Sequence, residues 1–314
     1  MLLKDIKSLH VELSSKCNAW CPSCARNKNG YGLKDGLTPQ NLDVSKLKAA
    51  VDALPNLNDI QFCGRYGDPA IHPELNEILS WVIPKVQYIQ IHTNGSLRNT
   101  EWWAEMGSKL ASVNHKVWFG IDGLAGVHEI YRQGTDFNKI IANATAFINA
   151  GGKAVWQFIP FKHNEHQLNA CIKMAKELGF DSFELIEGVR NVETAYNYQT
   201  GEQYILEPWS KDNTFNFRVT PNKTLTTKNC AHLEAPGLYI TAAGKYTLCC
   251  HFDPFDDRFD PVVFDTIQET EDLDIATEIN TQPRPLCEFA CAGLKMERKI
   301  VQLTRLRKIN EYRS

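Results

Sequence analysis

The chain has 314 residues, 43% of them hydrophobic and 23% charged, with a formal net charge of −3. That length holds one large or two modest domains with a real core, and the near balance of charge excludes a surface that coats nucleic acid generally. The N-terminus has no sustained apolar region and no run of about eighteen uncharged apolar residues occurs, so a cytoplasmic protein without a membrane partner is expected. Ten cysteines in such a chain suit a reducing compartment and metal binding better than disulfides.

Taken in order, short β-rich runs alternate with helical patterns as far as Glu187. Strands are predicted at Ser8 to Leu13, Asp59 to Cys63, Gln87 to His92, Lys116 to Ile121, Ala154 to Ile159 and Ser182 to Ile186. The first helix shows its period in Val44, Leu47, Val51 and Leu54, with Asp43 as N-cap and Pro55 as its end. Further helices are predicted over Pro73 to Val82, Thr100 to Leu110, Asn138 to Ala150 and Glu165 to Leu178, the last two closed by Gly151-Gly152 and Gly179. The alternation indicates a parallel α/β architecture, and periodicity alone fits a barrel and an open doubly wound sheet equally. Residues 191–229 turn polar and aromatic without a clear period and read as a bridging segment.

Just after the first strand stand Cys17, Cys21 and Cys24, spaced C-x3-C-x2-C. Three thiols in eight residues leave one over from any disulfide pairing, and soft thiolates so close together suit an iron-sulfur cluster or zinc. Three thiolates on a four-iron cubane leave one iron open to a substrate or cofactor. A zinc knuckle completed by a distant His or Cys is the alternative, although C-x3-C is less usual for zinc. Other chemistry-bearing turns follow the later strands: Gly64-Arg65-Tyr66-Gly67-Asp68-Pro69, Thr93-Asn94-Gly95, Gly120-Ile121-Asp122-Gly123, His128 to Gly134, and Lys162-His163-Asn164-Glu165-His166.

The cysteine spacing, with Trp20 beside Cys21 and the turns in this order, resembles the radical S-adenosylmethionine superfamily. The resemblance implies a partial six-stranded (β/α)6 TIM-like barrel over residues 1–190, with a 4Fe-4S cluster on Cys17, Cys21 and Cys24 at its C-terminal mouth. It implies that S-adenosylmethionine chelates the open iron and is cleaved by one electron to methionine and a 5′-deoxyadenosyl radical, which abstracts a substrate hydrogen. Gly67, Asp68 and Pro69 match the last three positions of the family's G-G-E-P stretch, with Asp in place of Glu. Asn94 would line the adenosyl site, and Asn164 would lie near the adenosine. Arg132 would pair with the methionine carboxylate through a bidentate fork. Gly120 replaces a serine that often contacts the cofactor, so that contact is expected to be missing. His163 and His166 read as turn and cap residues, Cys63 and Cys171 as buried apolar positions. Arg65, Tyr66, Glu187 and Arg190 sit near the predicted mouth without an assignable role.

A second cysteine group follows. Cys230, Gly244 and Cys249 are spaced C-x13-G-x4-C, and Cys250, Cys287 and Cys291 come later. Ile240 and Tyr246 read as two short strands of a hairpin turning at Gly244 and bringing Cys230 and Cys249 together. The pattern resembles the auxiliary-cluster modules called SPASM and twitch, here over residues 230–294. It implies one further 4Fe-4S cluster on Cys230, Cys249, Cys287 and Cys291, for two in all, with Cys250 or His251 as alternative ligands and structural zinc as the alternative metal. Ten acidic residues between Asp253 and Glu278 face seven basic ones between Lys295 and Ser314, where Met296, Ile300, Leu303 and Leu306 predict a basic amphipathic helix.

The expected function is radical oxidation or modification of a small metabolite or nucleoside-type substrate, with a reducing partner such as flavodoxin or ferredoxin. Maturation of a peptide or protein is the alternative within the class, weakened because the barrel begins within about ten residues and leaves no room for a leader-binding domain. A zinc-binding nucleic-acid adaptor using the basic tail is the alternative outside it. Otherwise nucleic acid is not an expected partner.

Overall fold

A computed structural model describes residues 3–111, 114–186, 194–210, 237–247 and 264–270, together with the backbone of 220–221 and 298–302. Six strands appear where alternation predicts them: β1 (Ser8–Val11), β2 (Asp59–Phe62), β3 (Tyr88–Thr93), β4 (His115–Gly120), β5 (Ala154–Phe158) and β6 (Ser182–Ile186). Between them run α1 (Val44–Asp52), α2 (Leu75–Val82), α3 (Thr100–Lys109), α4 (His128–Tyr131), α5 (Phe137–Asn149) and α6 (Leu168–Leu178). The Asp43 carboxylate accepts from the Ser45 N–H and caps α1 as expected. The predicted helix from Glu165 opens with a single 3₁₀ turn and becomes α-helical only at Leu168. The four-residue α4 was not predicted as an element.

β1 to β6 pair in sequence order, all parallel. One residue of each alternating pair, such as Leu9, Ile60, Ile91, Phe119, Trp156 and Phe183, enters a single apolar core with Leu47, Leu79, Trp103, Phe147 and Ala175 of the helices. Sequential order with the helices on one face is the winding of a (β/α) barrel and distinguishes it from a doubly wound sheet, whose order reverses and whose helices cover both faces.

The remaining strands are β7 (Thr194–Tyr196), β8 (Gln203–Ile205), β9 (Thr220–Pro221), β10 (Gly237–Ile240), β11 (Tyr246–Thr247) and β12 (Arg298–Gln302). β7 and β8 form an antiparallel hairpin inside the stretch read as a periodless bridge. β10 and β11 form the hairpin predicted around Gly244, and β10 also pairs parallel with β1, Ser8 opposite Gly237. This makes it a seventh parallel strand of the sheet. At the opposite edge β12 pairs antiparallel with β6 and with β9. The expectation of a helix from 295 is therefore corrected at 298–302: the free edge of β6 offers a full ladder of backbone partners, which outweighs a weak helical spacing. Among the described residues no helix is long and apolar enough to cross a membrane.

Candidate functional site

The chain leaves β1 at Val11 and crosses the C-terminal ends of the strands as the cysteine loop. Cys17, Cys21 and Cys24 all line one cavity of about 360 Å³, together with Gly67, Asp68, Asn94 and Arg132. Local bonds set the loop's shape. The Cys24 N–H donates to the Cys21 carbonyl at 3.0 Å, and the Asn27 side chain donates to the same carbonyl at 3.1 Å. Trp20 N–H donates to the Gln133 carbonyl, Ser23 and Tyr131 share a hydroxyl bond of 2.6 Å, and the Trp20 ring lies parallel to Tyr198 with the Arg26 guanidinium 4.9 Å from its centroid. The β7–β8 hairpin thus braces the loop from outside, a role the polar composition of that segment did not reveal.

Two N–H groups point at the Cys17 sulfur, from Ala19 at 3.4 Å and from the Asn94 amide at 3.6 Å. Burial pushes the Cys17 thiol up, and the neighbouring Asp68, Cys21 and Cys24 push it further. Thiols crowded in this way, with N–H donors already aimed at one sulfur, fit a cationic iron-sulfur cluster, whose charge removes the cost of ionising them. Among the described residues no three His, Cys, Asp or Glu side chains converge as the ligands of one metal ion do. The thiolates of a cubane each hold a different iron and stand correspondingly apart.

The turn after β2 is fitted against this loop. A Cβ on Gly67 would lie 1.9 Å from the Ser14 carbonyl oxygen and 2.7 Å from that of Lys16, so only glycine permits the approach. The next N–H, of Asp68, donates to the Lys16 carbonyl at 2.9 Å. The Asp68 carboxylate, 3% exposed, accepts from Ala70 N–H at 2.9 Å, Thr93 Oγ1 at 2.9 Å and Asn94 N–H at 2.7 Å. Burial raises its pKa, and those donors together with the Arg132 charge pull in the opposite direction. Asp68 therefore ties the β2 turn to the end of β3. It lines the cavity, but its carboxylate is occupied within the protein.

Arg132 reaches the cavity from the segment after β4. Its Nε donates to Asp122 Oδ2 at 2.6 Å, and Asp122 is wholly buried. Burial works against the Arg132 charge, but Asp122 and the Cys21 thiol outweigh it and hold the guanidinium more firmly protonated than a free arginine. A Cβ on Gly120 would meet Arg132 Nη2, Cζ and Nη1 at 2.7–2.9 Å. The guanidinium therefore takes the space that a serine would fill at position 120, which gives this departure from the family pattern a physical reason. The Asp122 N–H donates to His128 Nδ1 at 3.0 Å, so that nitrogen carries no proton and Nε2–H donates to Thr135 Oγ1. Burial accordingly pushes the His128 pKa down to about 3.

Asn164 is not brought to the cavity. Its Nδ2 donates to the Asp122 and Ile159 carbonyls and its Oδ1 accepts from the Phe161 N–H, so a buried turn uses the whole side chain. His163 stacks on Phe161 in the same turn. Cys171 is buried in the outer core as expected, whereas Cys63 lines the cavity, because the last residue after β2 alternates to the inner face. Arg65 and Tyr66 also line the cavity. Glu187, Arg190, Cys230, Cys249, Cys250, His251, Cys287 and Cys291 lie outside the described residues.

Two buried carboxylates carry more than the sequence reading gave them: Asp122 was named only within its turn, and Glu12 was not singled out. Asp122 holds Arg132 and accepts from the Ile159 N–H at 2.7 Å. Glu12 accepts from Tyr66 N–H at 2.7 Å and from Ala242 N–H, binding the β2 turn to the β10–β11 hairpin. The signal was there: a charged residue at the inward-facing phase of an otherwise apolar strand end is seldom idle.

No family model matches the chain. The chain is 28% identical over 141 residues to the tungsten-containing aldehyde ferredoxin oxidoreductase cofactor-modifying protein of Pyrococcus furiosus, a match covering 45% of this chain and 36% of that protein. It is 22% identical over 169 residues to a probable GTP 3′,8-cyclase of Thermococcus kodakarensis, covering 50% and 53%. The matches therefore span only about a third to a half of these curated relatives. Among solved structures, SuiB of Streptococcus suis bound to S-adenosylmethionine superposes with a TM-score of 0.57 at 15% identity, over 92% of this chain and 68% of that one. SuiB bound to its precursor peptide SuiA gives 0.52 at 15% identity, over 78% and 60%. The structure of anSMEcpe with bound AdoMet gives 0.52 at 14% identity, over 77% and 74%. These solved relatives are radical S-adenosylmethionine enzymes, and the chain shares their fold.

Proposed function

We propose that this chain is a radical S-adenosylmethionine enzyme that cleaves S-adenosylmethionine reductively and uses the resulting radical to oxidise or otherwise modify a small metabolite or nucleoside-type substrate. The observation that carries the proposal is the meeting, in one cavity at the C-terminal ends of parallel strands, of three loop thiols with Asn94, Arg132 and the Asp68 turn. When bound, the cluster and S-adenosylmethionine supply the electron and the 5′-deoxyadenosyl radical that takes a hydrogen atom from the substrate.

The chain's own residues have separable tasks. Cys17, Cys21 and Cys24 hold the cluster, and the Ala19 and Asn94 N–H groups aimed at the Cys17 sulfur stabilise it as a thiolate. Arg132, kept charged by Asp122, orients the carboxylate of the cofactor. Asp68 and Gly67 position the backbone around the cofactor amine. Trp20, stacked on Tyr198, holds the outer side of the loop in place.

The auxiliary cluster on Cys230, Cys249, Cys287 and Cys291 belongs to the proposal. It is supported by the β10–β11 hairpin, which forms as the C-x13-G-x4-C spacing requires and ends two residues before Cys249. In this reading flavodoxin or ferredoxin supplies the reducing electron. The name of the cyclase relative favours a nucleotide-like substrate, and the solved complex of SuiB with a precursor peptide favours the second reading, a peptide.

The test is to purify and reconstitute the protein without oxygen, count iron and sulfide, and assay 5′-deoxyadenosine with dithionite and S-adenosylmethionine. About eight irons are expected, falling to about four in the Cys17→Ala/Cys21→Ala/Cys24→Ala variant with loss of the product. Zinc in place of iron, with no cofactor cleavage, overturns the proposal and favours the adaptor.

A further inference from the structure

Beneath the cavity mouth lies a buried carboxylate, one oxygen of which meets no partner among the described residues. Glu184 is the middle residue of β6. Its neighbours Phe183 and Leu185 enter the helix-side core, so Glu184 faces the interior of the sheet in phase with Ile186. Ile186, one pleat nearer the mouth, and Gln157, the register partner of Glu184 on β5, both line the cavity. Glu184 is only 6% exposed, and its Oε2 is buried without a hydrogen-bond partner among the described residues.

A second observation comes from β4. Trp118 also faces inward, since Val117 and Phe119 belong to the outer core. Its ring is stacked on His92, another lining residue, with centroids 4.8 Å apart and planes 10° from parallel. Its indole Nε1–H is likewise buried without a partner. A buried donor or acceptor left unmet costs about 1–3 kcal/mol, so an acceptor and a donor both unmet on the inner face mark places where a ligand completes the bonding. Among the described residues, Arg65 lines the cavity mouth. Arg132 is engaged by Asp122, and Lys116, deeper on the same face, is paired with Asp181 at 2.7 Å.

We propose that Glu184 and Trp118, which lie below the lining residues Gln157 and His92, form a subsite beneath the cavity for a protonated amine of the substrate. The ammonium donates to the Glu184 carboxylate, and a hydroxyl or carbonyl a few bonds away accepts from the Trp118 Nε1–H. The two groups stand on strands either side of β5 and two residues apart in register, roughly 12 Å apart in the backbone, a span suited to an amino-acid-sized or larger molecule. The subsite excludes a substrate that would present a carboxylate there, since like charges would meet in a buried place. This inference rests on the reading above, in which S-adenosylmethionine fills the mouth and the substrate lies below it.

The test uses the reconstituted holoprotein saturated with S-adenosylmethionine and three probes of matched shape, benzylamine, benzyl alcohol and benzoate, with dissociation constants from ligand-observed NMR. Benzylamine is expected to bind at least about tenfold more tightly than benzyl alcohol, or about 1.4 kcal/mol, and benzoate not at all. In Glu184→Gln the gap between amine and alcohol is expected to shrink to within about twofold. Equal binding of amine and alcohol to the wild type overturns the subsite, as does an undiminished amine preference in a folded Glu184→Gln protein. The wild-type ranking stands as a test even where the variant does not fold. Assay of 5′-deoxyadenosine on the same wild-type preparation separates the two proposals. Cofactor cleavage without amine preference removes the subsite alone, and amine preference without cofactor cleavage removes the radical-enzyme reading alone.

Discussion

The two faces of the sheet obey opposite rules. On the helix side each of β1 to β6 contributes fully buried apolar residues, and Phe119 alone packs against Trp103, Phe147 and Phe180 with centroids 5.1–6.3 Å apart. On the inner side the alternate positions are His10, Gln61, His92, Trp118, Gln157 and Glu184. A closed eight-stranded barrel packs its interior with branched apolar side chains. This sheet does not, and the difference teaches that its stability resides on the outer face, while the inner one is free to hold polar ligands.

The largest effect is expected where the inner face meets the mouth. Arg132→Ala leaves the buried Asp122 without its partner, which costs about 3–5 kcal/mol, and it abolishes 5′-deoxyadenosine formation. Urea unfolding and the product assay check the two consequences separately. On the outer face, Phe119→Ala is expected to cost about 3–5 kcal/mol through the cavity it leaves, read from the shift in urea midpoint at constant slope.

A smaller effect follows from pH. His128 has a folded pKa of about 3 against an ordinary 6.5, so the unfolded chain takes up the proton first. Its contribution is complete above pH 6.5 and falls away below it by about 1.4 kcal/mol per pH unit. Glu12 and Asp68, raised by burial, oppose this, because there the folded chain takes up the proton first. The measurement is therefore the signed difference in slope between wild type and His128→Gln from pH 6.5 to 5, with the wild type losing more stability, or gaining less, as pH falls. The smallest effect is the sharpest check on the comparison: Gln61→Leu, on the half-buried inner face, is expected to change stability by no more than about 0.5 kcal/mol. A loss as large as that of Phe119→Ala would mean that the inner face is itself a packed core.

Much of this was legible in advance because it is local. Alternation located β1 to β6, the period of Val44, Leu47 and Val51 located α1, and Asp43 capped it as read. The cysteine spacing and the turns after the strands pointed to seven residues that do share one cavity. What could not be read is what depends on distant partners. Nothing near Gly237 says that β10 will lie beside β1, and nothing near Ile300 says that β6 has an open edge. The Asn164 side chain was expected at a cofactor, yet three backbone groups of its own turn claim it. The role of Asp122 and the whole of Glu12 escaped notice because a buried carboxylate declares itself only through the N–H groups it gathers.

The pairing of β10 with β1 and of β12 with β6 has a consequence for biosynthesis. Both flanks of the six-stranded sheet are covered by segments made much later, since about 50 residues separate Ile186 from Gly237 and about 110 separate it from Arg298. At about 5–20 residues per second, a nascent chain spends roughly 3–10 s with β6 complete and β1 still uncovered. Throughout that interval the cysteine loop is already made while two rows of unpaired amides face solvent, an invitation to aggregate. Chains stalled before residue 237 are therefore expected in the insoluble fraction, however complete their thiol triad.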